Sequence, residues 1–413
     1  MKNKKPILVL LGILIIATFL RFYQLGKVPA SPDWDEVALG YNAYSILKTG
    51  RDEYGKFLPL ELRSYDDYKP PLYAYLAIPS VAIFGLNVWA VRLPSAVMGV
   101  IAVGATYLLV KKLLEGDENE KKKKGVWSYP VICALLAAFL FAISPWSLQF
   151  SRIAFEANSG VTLIILGVLF FLYGLSSWPF LAFSAFFFGI SLYIYQTERV
   201  FSPLLVLALA IIWRKELFRD FRRVIVAVVI GVLIAAPLVP IVFDKTALTR
   251  LRGTSPLTDQ TALLADSVKK LEQDQARGDK LGMILDNRRI VYVKTVIDGY
   301  ISHFSFEWLF LTGDENRHHA PDNGILYLWS LPFVVWGIVE LWKRGGKTKS
   351  LIFTWFFLAP VAAAPTGGTP HAIRTLVFLP TFQLFNAMGL LAAVSYVVYL
   401  RWGRPQPAPK KTR

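Results

Sequence analysis

The segment spanning residues 30–71 gathers the residue types needed for proton transfer and anion binding: the adjacent acids Asp35 and Glu36, then Lys69 ahead of Pro70-Pro71. A carboxylate partly withdrawn from water holds its proton more tightly, in the range useful to a general base. Proline restricts the residue before it to extended backbone, which fixes where Lys69 projects. Asp33-Trp34-Asp35-Glu36 also reads as a capping box, an acid cap with Glu three residues on, yet two adjacent carboxylates exceed what capping needs. Arg92, in AVRLPSA, falls near the end of an apolar run, where a charge is costly without a partner; a lipid phosphate, a headgroup or a neighbouring acid would serve. Arg152 and Glu156, four apart in SRIAFE, have the spacing to pair on one helix turn. Glu198-Arg199 and His371/Arg374 offer further acid or imidazole beside cation. Asp314, Glu315, His318 and His319 include metal-ligating types, but adjacent histidines in a polar loop seldom suffice, so no metal ligands are assigned.

These residues punctuate a chain that is otherwise built for lipid. Of 413 residues, 54% are hydrophobic, the mean hydropathy is +0.45, and apolar runs repeatedly approach the roughly 20 residues that cross a hydrocarbon core. Many aromatic residues, Trp89, Trp127, Trp146, Trp213, Trp342 and Trp402 among them, stand near the ends of those runs, where amphipathic rings favour the interface. The net charge of +16 is concentrated in short clusters (Lys2/Lys4/Lys5, Lys121 to Lys124, Arg214 to Arg223, Lys343 to Lys349, Arg401 to Arg413), the mark of cytoplasmic loops. No basic, aromatic-interleaved soluble segment remains to bind nucleic acid. The single cysteine, Cys133, excludes a disulfide framework and a thiol pair. The amino-terminal run resembles a signal peptide, but the cleavage-like Val28-Pro29-Ala30 lies well beyond it, with Arg21 and Lys27 between, which favours an uncleaved first span.

The pattern therefore predicts an all-α polytopic membrane protein with about ten spans, at 6–22, 89–110, 126–144, 160–175, 179–195, 200–213, 224–243, 324–342, 350–364 and 376–400. Arg21 is expected to snorkel to the headgroups. Residues 35–47 have helical spacing with Val37, Tyr41, Tyr44 and Leu47 on one side, and read as a helix lying along the interface. Residues 72–84 read as a second interfacial or re-entrant segment, because a crossing there would place Lys121 to Lys124 outside. Residues 1–243 form a transmembrane catalytic core that includes the first outer loop, 24–88. Residues 244–323 are an outer loop with an amphipathic face of Val293, Val296, Ile297, Tyr300, Ile301 and Phe304, and 324–413 carry the last helices and a basic cytoplasmic tail. Both termini are then cytoplasmic, and Asp35, Glu36, Lys69, Arg92, Arg152, Glu156, Arg199 and Arg374 share the outer side. There is no Gly-rich phosphate loop, and nucleotide-activated donors belong to the cytoplasm, so group transfer at this face needs a donor that arrives in the membrane.

The ordered set DWDE, KPPLYAY and AVRLPSAVMG, continued by FSRIAFEAN, YQTERVFSPLL and HAIRTLVFLP, resembles the GT-C glycosyltransferases, nearest the protein O-mannosyltransferase and aminoarabinose transferase group, glycosyltransferase family 39. The resemblance covers most of the chain. It implies inverting transfer of a sugar from a polyprenyl-phosphate donor to an acceptor hydroxyl on protein, lipid or glycan, at the outer face of the plasma (inner) membrane. Asp35 would be the general base, Glu36 would orient acceptor or sugar, and Lys69 and Arg92 would contact the lipid phosphate. Arg152, Glu156, Arg199 and Arg374 would line the substrate site. No cofactor is assigned, a divalent metal being left open because metal dependence varies across GT-C enzymes. The rival expectation is a flippase for lipid-linked sugars, which would use the cations and not need Asp35.

Overall fold

The computed structural model describes residues 4–64, 67–116, 126–242 and 260–402. Lys2, the Lys121 to Lys124 cluster, residues 243–259 and the tail beyond Trp402 lie outside the described residues. In chain order the helices are α1 (Lys5–Phe22), α2 (Trp34–Thr49), α3 (Leu72–Phe84), α4 (Val88–Glu115), α5 (Tyr129–Ile143), α6 (Pro145–Ser151), α7 (Glu156–Gly174), α8 (Trp178–Ser191), α9 (Glu198–Ile212), α10 (Arg214–Arg219), α11 (Phe221–Ala235) and the single turn α12 (Val239–Val242). After the gap come α13 (Gln260–Arg277), α14 (Lys280–Leu285), α15 (Arg288–Ser302), α16 (Leu331–Arg344), α17 (Gly346–Leu358) and α18 (Leu379–Trp402). Strands β1 (Leu62–Ser64) and β2 (Asp67–Lys69) pair antiparallel, with Leu62 opposite Lys69.

The chain is an all-α integral membrane protein: among the described residues five helical stretches, Lys5–Phe22, Val88–Glu115, Glu156–Gly174, Phe221–Ile241 and Leu376–Arg401, are long and apolar enough to cross a bilayer. Each remaining predicted span is also helical, but α8, α16 and α17 have 14, 14 and 13 residues, about 20 Å at 1.5 Å per residue and short of a ~30 Å hydrocarbon core without their flanking turns. The helix α3, at 13 residues, has the same shortfall. The last helices pack backbone to backbone, because a Cβ on Gly337 would fall on the Phe385 carbonyl and one on Gly389 on that of Phe333. Small residues permit that approach where lipid offers no hydrophobic drive between helices.

Arg21 departs from expectation. It does not snorkel but is fully buried, donating to the Ala142 carbonyl at 3.1 Å and Ser147 Oγ at 2.7 Å, and to Phe141, Ala17 and Ser151. The cause lies in α5, which breaks before Pro145 and bends by 56° into α6. A helix end leaves its last carbonyls unpaired, and the guanidinium of α1 satisfies two of them.

Both predicted amphipathic segments form. On α2 the stripe Val37, Tyr41, Tyr44 and Leu47 is exposed, while Glu36, Leu39, Ala43 and Ile46 are buried. On α15, Val293, Ile297 and Ile301 are exposed at helical spacing. An apolar stripe without protein cover suits a helix lying in the interface.

Candidate active site

The site is built on the first turn of α2. Asp33 caps it: Asp35 N–H donates to Asp33 Oδ1 at 3.0 Å, Asp33 N–H donates to Glu36 Oε2 at 3.0 Å, and the capping box is complete. Glu36 is buried, 3% exposed, and has further partners. Arg92 Nε and Nη2 reach its two oxygens at 2.8 and 2.9 Å, and Ala154 N–H donates to Oε1 at 2.7 Å. Four N–H donors on one carboxylate take up its lone-pair directions. Glu36 thus ties α2 to α4 and to the turn before α7, with no acceptor position left for a sugar or an acceptor.

Arg92 is equally committed. Besides Glu36 it donates to the carbonyls of Leu25 and Pro29 through Nη1 at 3.0 and 2.9 Å and to that of Ser31 through Nη2 at 3.2 Å, so all five guanidinium N–H groups have partners and the residue is fully buried. The structure therefore gives Arg92 the neighbouring acid as its partner in place of the lipid phosphate expected of it.

Asp35 differs from its neighbour. Its side chain is 22% exposed and pairs with Lys69 Nζ, whose side chain is 8% exposed. Lys69 is presented by the end of β2. That hairpin is fastened to the α8–α9 connection, since Leu72 N–H donates to the Tyr193 carbonyl at 3.0 Å and Gln196 Nε2 to that of Tyr68 at 3.2 Å. Beside the first turn of α2 lies a mostly apolar cavity of about 210 Å³ between Pro32, Val37, Tyr41, Leu86 and Val91, with Glu36 at its wall.

The other predicted residues have partners of their own. Arg152 donates to the carbonyls of Leu20, Tyr23 and Val28 at 2.6, 2.8 and 3.1 Å, clamping the exit of α1. Glu156 opens α7 and is buried. Arg199 donates to the Leu192 carbonyl at 3.1 Å, and Arg374 to Thr366 Oγ1 and the Gly367 carbonyl at 2.6 and 2.7 Å.

Two further groupings come from the loop before α16. Arg317 stacks on Trp34 at 4.8 Å and pairs with Asp33 at 3.4 Å. The same loop brings His318 to Asp314, Nδ1 to Oδ2 2.9 Å, and both to His371, with Ala372 N–H donating to Asp314 Oδ2 at 2.7 Å. His303 joins them: its Nδ1 lies 2.6 Å from the Gly299 carbonyl and its Nε2 accepts from His371 N–H at 3.1 Å. That pattern requires the proton on Nδ1 alone, so His303 is neutral; burial pulls its pKa down to about 4. Burial first, then Arg374 and other cationic neighbours, pulls that of His371 down to about 2. In the sequence Asp314 and His318 stand out, with Glu315 and His319, as metal-ligating types, but no pattern links them to His303 or His371.

Comparison with known proteins bears on this arrangement. The family described as dolichyl-phosphate-mannose-protein mannosyltransferase matches residues 68–119, which hold Lys69, α3 and Arg92. The archaeal oligosaccharyltransferase AglB from Archaeoglobus fulgidus, in complex with an inhibitory peptide and a dolichol-phosphate, superposes with a TM-score of 0.56 at 14% identity over 97% of this chain and 52% of that one. ArnT from Cupriavidus metallidurans bound to undecaprenyl phosphate superposes with a TM-score of 0.54 at 12% identity over 96% of this chain and 64% of that one. The fold of this chain is shared with these AglB and ArnT structures. The chain spans about half to two thirds of the length of these two structures, and no curated protein matches it.

Proposed function

We propose that this chain is a glycosyltransferase that moves a sugar, with inversion, from a polyprenyl-phosphate carrier to an acceptor hydroxyl at the outer face of the membrane. The observation that carries this reading is the contrast within the acid pair: Glu36 is saturated by four N–H donors, whereas Asp35 is partly open and pairs with Lys69. A base and a cation side by side suit displacement of a phosphate by a hydroxyl, the one taking the proton and the other stabilising the leaving phosphate. The GT-C fold, with AglB seen in complex with a dolichol-phosphate and ArnT bound to undecaprenyl phosphate, supports a lipid phosphate as the leaving group.

In this mechanism donor phosphate draws the Lys69 ammonium, and Asp35 is released to accept a hydrogen bond from the acceptor hydroxyl. The hydroxyl oxygen attacks the anomeric carbon from the face opposite the phosphate, its proton passes to Asp35, and the carbon–oxygen bond to phosphate breaks. The departing polyprenyl phosphate keeps the bonding pair, and Lys69 stabilises that charge where it grows, the point at which a cation lowers the barrier most. Glu36 and Arg92 act through structure, holding the helix start that aims Asp35. Arg152 fixes the loop after α1, while Arg199, Glu156 and Arg374 stand at the margins, where headgroup and sugar contacts are expected.

The test is mass spectrometry of lipid-linked sugars and glycans in cells carrying wild-type protein or the Asp35→Asn variant. Wild type should convert a lipid-linked sugar to a glycosylated product and Asp35→Asn should let the carrier accumulate. Undiminished product in the variant would overturn the reading.

A further inference from the structure

We propose that Asp314, His318 and His371 bind one first-row divalent cation, zinc by donor type, which pins the loop around 313–320 to the segment around 366–375. Donor atoms of the three residues all lie within 4.8 Å of one another, and Asp314 and the two histidines are packed into the protein. Two imidazole nitrogens and one carboxylate oxygen are a common first-row set, with a fourth position for water. Zinc bonds of 2.0–2.1 Å would bring tetrahedral donors to about 3.4 Å, so binding draws the three side chains modestly together.

The independent sign of a missing partner is polar. Asp314 Oδ1, His318 Nε2 and His371 Nδ1 are all buried without a hydrogen-bond partner, although buried polar groups are almost always satisfied. The histidines are 0% and 6% exposed. The surroundings suit a rigid site: the rings of Phe150 and Phe155 lie 5.7 and 6.5 Å from His318, and Ala372 N–H holds Asp314 Oδ2, the outer hydrogen bonding that orients a ligand.

The cation would position, not react. Asp35 is not among its ligands, but Arg317 sits directly beside His318 and makes the contacts to Asp33 and Trp34. Fixing His318 therefore fixes the loop that borders the start of α2. Binding of the cation does not depend on sugar transfer being the chain's activity.

The experiment uses the full-length protein purified in detergent without chelator, equilibrated with zinc and freed of excess. Elemental analysis should find about one zinc per chain, falling below about a tenth in His318→Gln and His371→Gln, while His319→Gln keeps it. EDTA should lower the melting temperature of wild type, with recovery on adding zinc, and leave His371→Gln unmoved. Wild-type protein without bound zinc, or His371→Gln retaining the wild-type content, would refute the site. If the two variants fail to accumulate, cobalt-exchanged wild type decides: visible d–d absorption of a tetrahedral nitrogen–oxygen site supports the proposal, and its absence overturns it.

Discussion

Glu36→Gln and Asp35→Asn are near-identical edits on adjacent residues, and the structure predicts opposite consequences. In Glu36→Gln, a carboxylate accepting four N–H groups from Arg92, Ala154 and Asp33 becomes an amide with one acceptor oxygen and two donor hydrogens. Whichever way it flips, its NH₂ faces other donors. Arg92, fully buried, is then left uncompensated, and breaking a buried pair by removing one partner costs about 3–5 kcal/mol. In Asp35→Asn the amide oxygen still accepts from Lys69, and the pair is partly open, 22% exposed on the acid side. The stability loss there should be about 1–2 kcal/mol, above the range for exposed ion pairs because the Lys69 side chain is only 8% exposed, yet smaller than for Glu36→Gln.

Activity should rank the other way. Removing a general base costs roughly 10²–10⁴ in rate, so Asp35→Asn should be nearly inactive while melting close to wild type. Glu36→Gln should melt far lower and, measured well below its midpoint, keep a larger fraction of activity. Thermal unfolding followed by tryptophan fluorescence gives the first ranking, and transfer from a polyprenyl-phosphate sugar in nanodiscs the second. Equal melting of the two variants would refute the brace assigned to Glu36, and a fully active Asp35→Asn would remove Asp35 from the chemistry.

Lys69→Ala should raise the apparent KM for the lipid-linked donor more than that for the acceptor, and equal shifts would reduce Lys69 to an interfacial anchor. Arg317→Ala removes a one-third-exposed pair with Asp33 and a stack on Trp34; it should cost about 1 kcal/mol or less in stability yet weaken acceptor use, as steady-state kinetics would show. Gly337→Ala should abolish monodisperse protein by driving a methyl into the Phe385 carbonyl, whereas Gly231→Ala, with open space around its Cβ, should elute and melt as wild type does. In a Cys133→Ala background, Lys48→Cys should react with an impermeant maleimide on intact cells and Lys343→Cys only after permeabilisation; the reverse would invert the proposed orientation.

What could be read from the sequence was what local chemistry determines. The capping box was visible because its partners lie three residues apart, and the exposed stripe on α2 because Val37, Tyr41, Tyr44 and Leu47 recur at helical spacing. Hydropathy placed helices at every predicted span but could not supply their lengths, since α8, α16 and α17 are regular for only 13 or 14 residues and continue into turns or a 3-10 segment, such as Leu328–Ser330 ahead of α16. Tertiary partners were hidden. The requirement that Arg92 be neutralised was legible, but not that the neutralising group is Glu36, 56 positions away. Arg21 looked like a snorkelling residue because its use, closing the broken end of α5, exists only after Pro145 bends the chain. His371 stands far along the chain from Asp314 and His318, so the adjacent His318-His319 drew attention instead.

The division of labour between Asp35 and Glu36 follows from helix geometry once α2 begins at Trp34. Successive residues on an α-helix point about 100° apart, so two adjacent acids in its first turn cannot both face the same partner. Packing against α4 and the turn before α7 claims the Glu36 direction, where Arg92 and Ala154 wait, and leaves Asp35 directed at Lys69. One acid therefore spends its charge holding the helix start, which keeps the other in place without occupying it. Moving the helix start by one residue would turn Asp35 toward Arg92 and present Glu36 to Lys69 on a longer, looser side chain. For that reason Asp35→Glu combined with Glu36→Asp, which preserves both charges, should fail in transfer as Asp35→Asn does: the shortened side chain at position 36 cannot span to Arg92, and the lengthened one at position 35 overshoots Lys69.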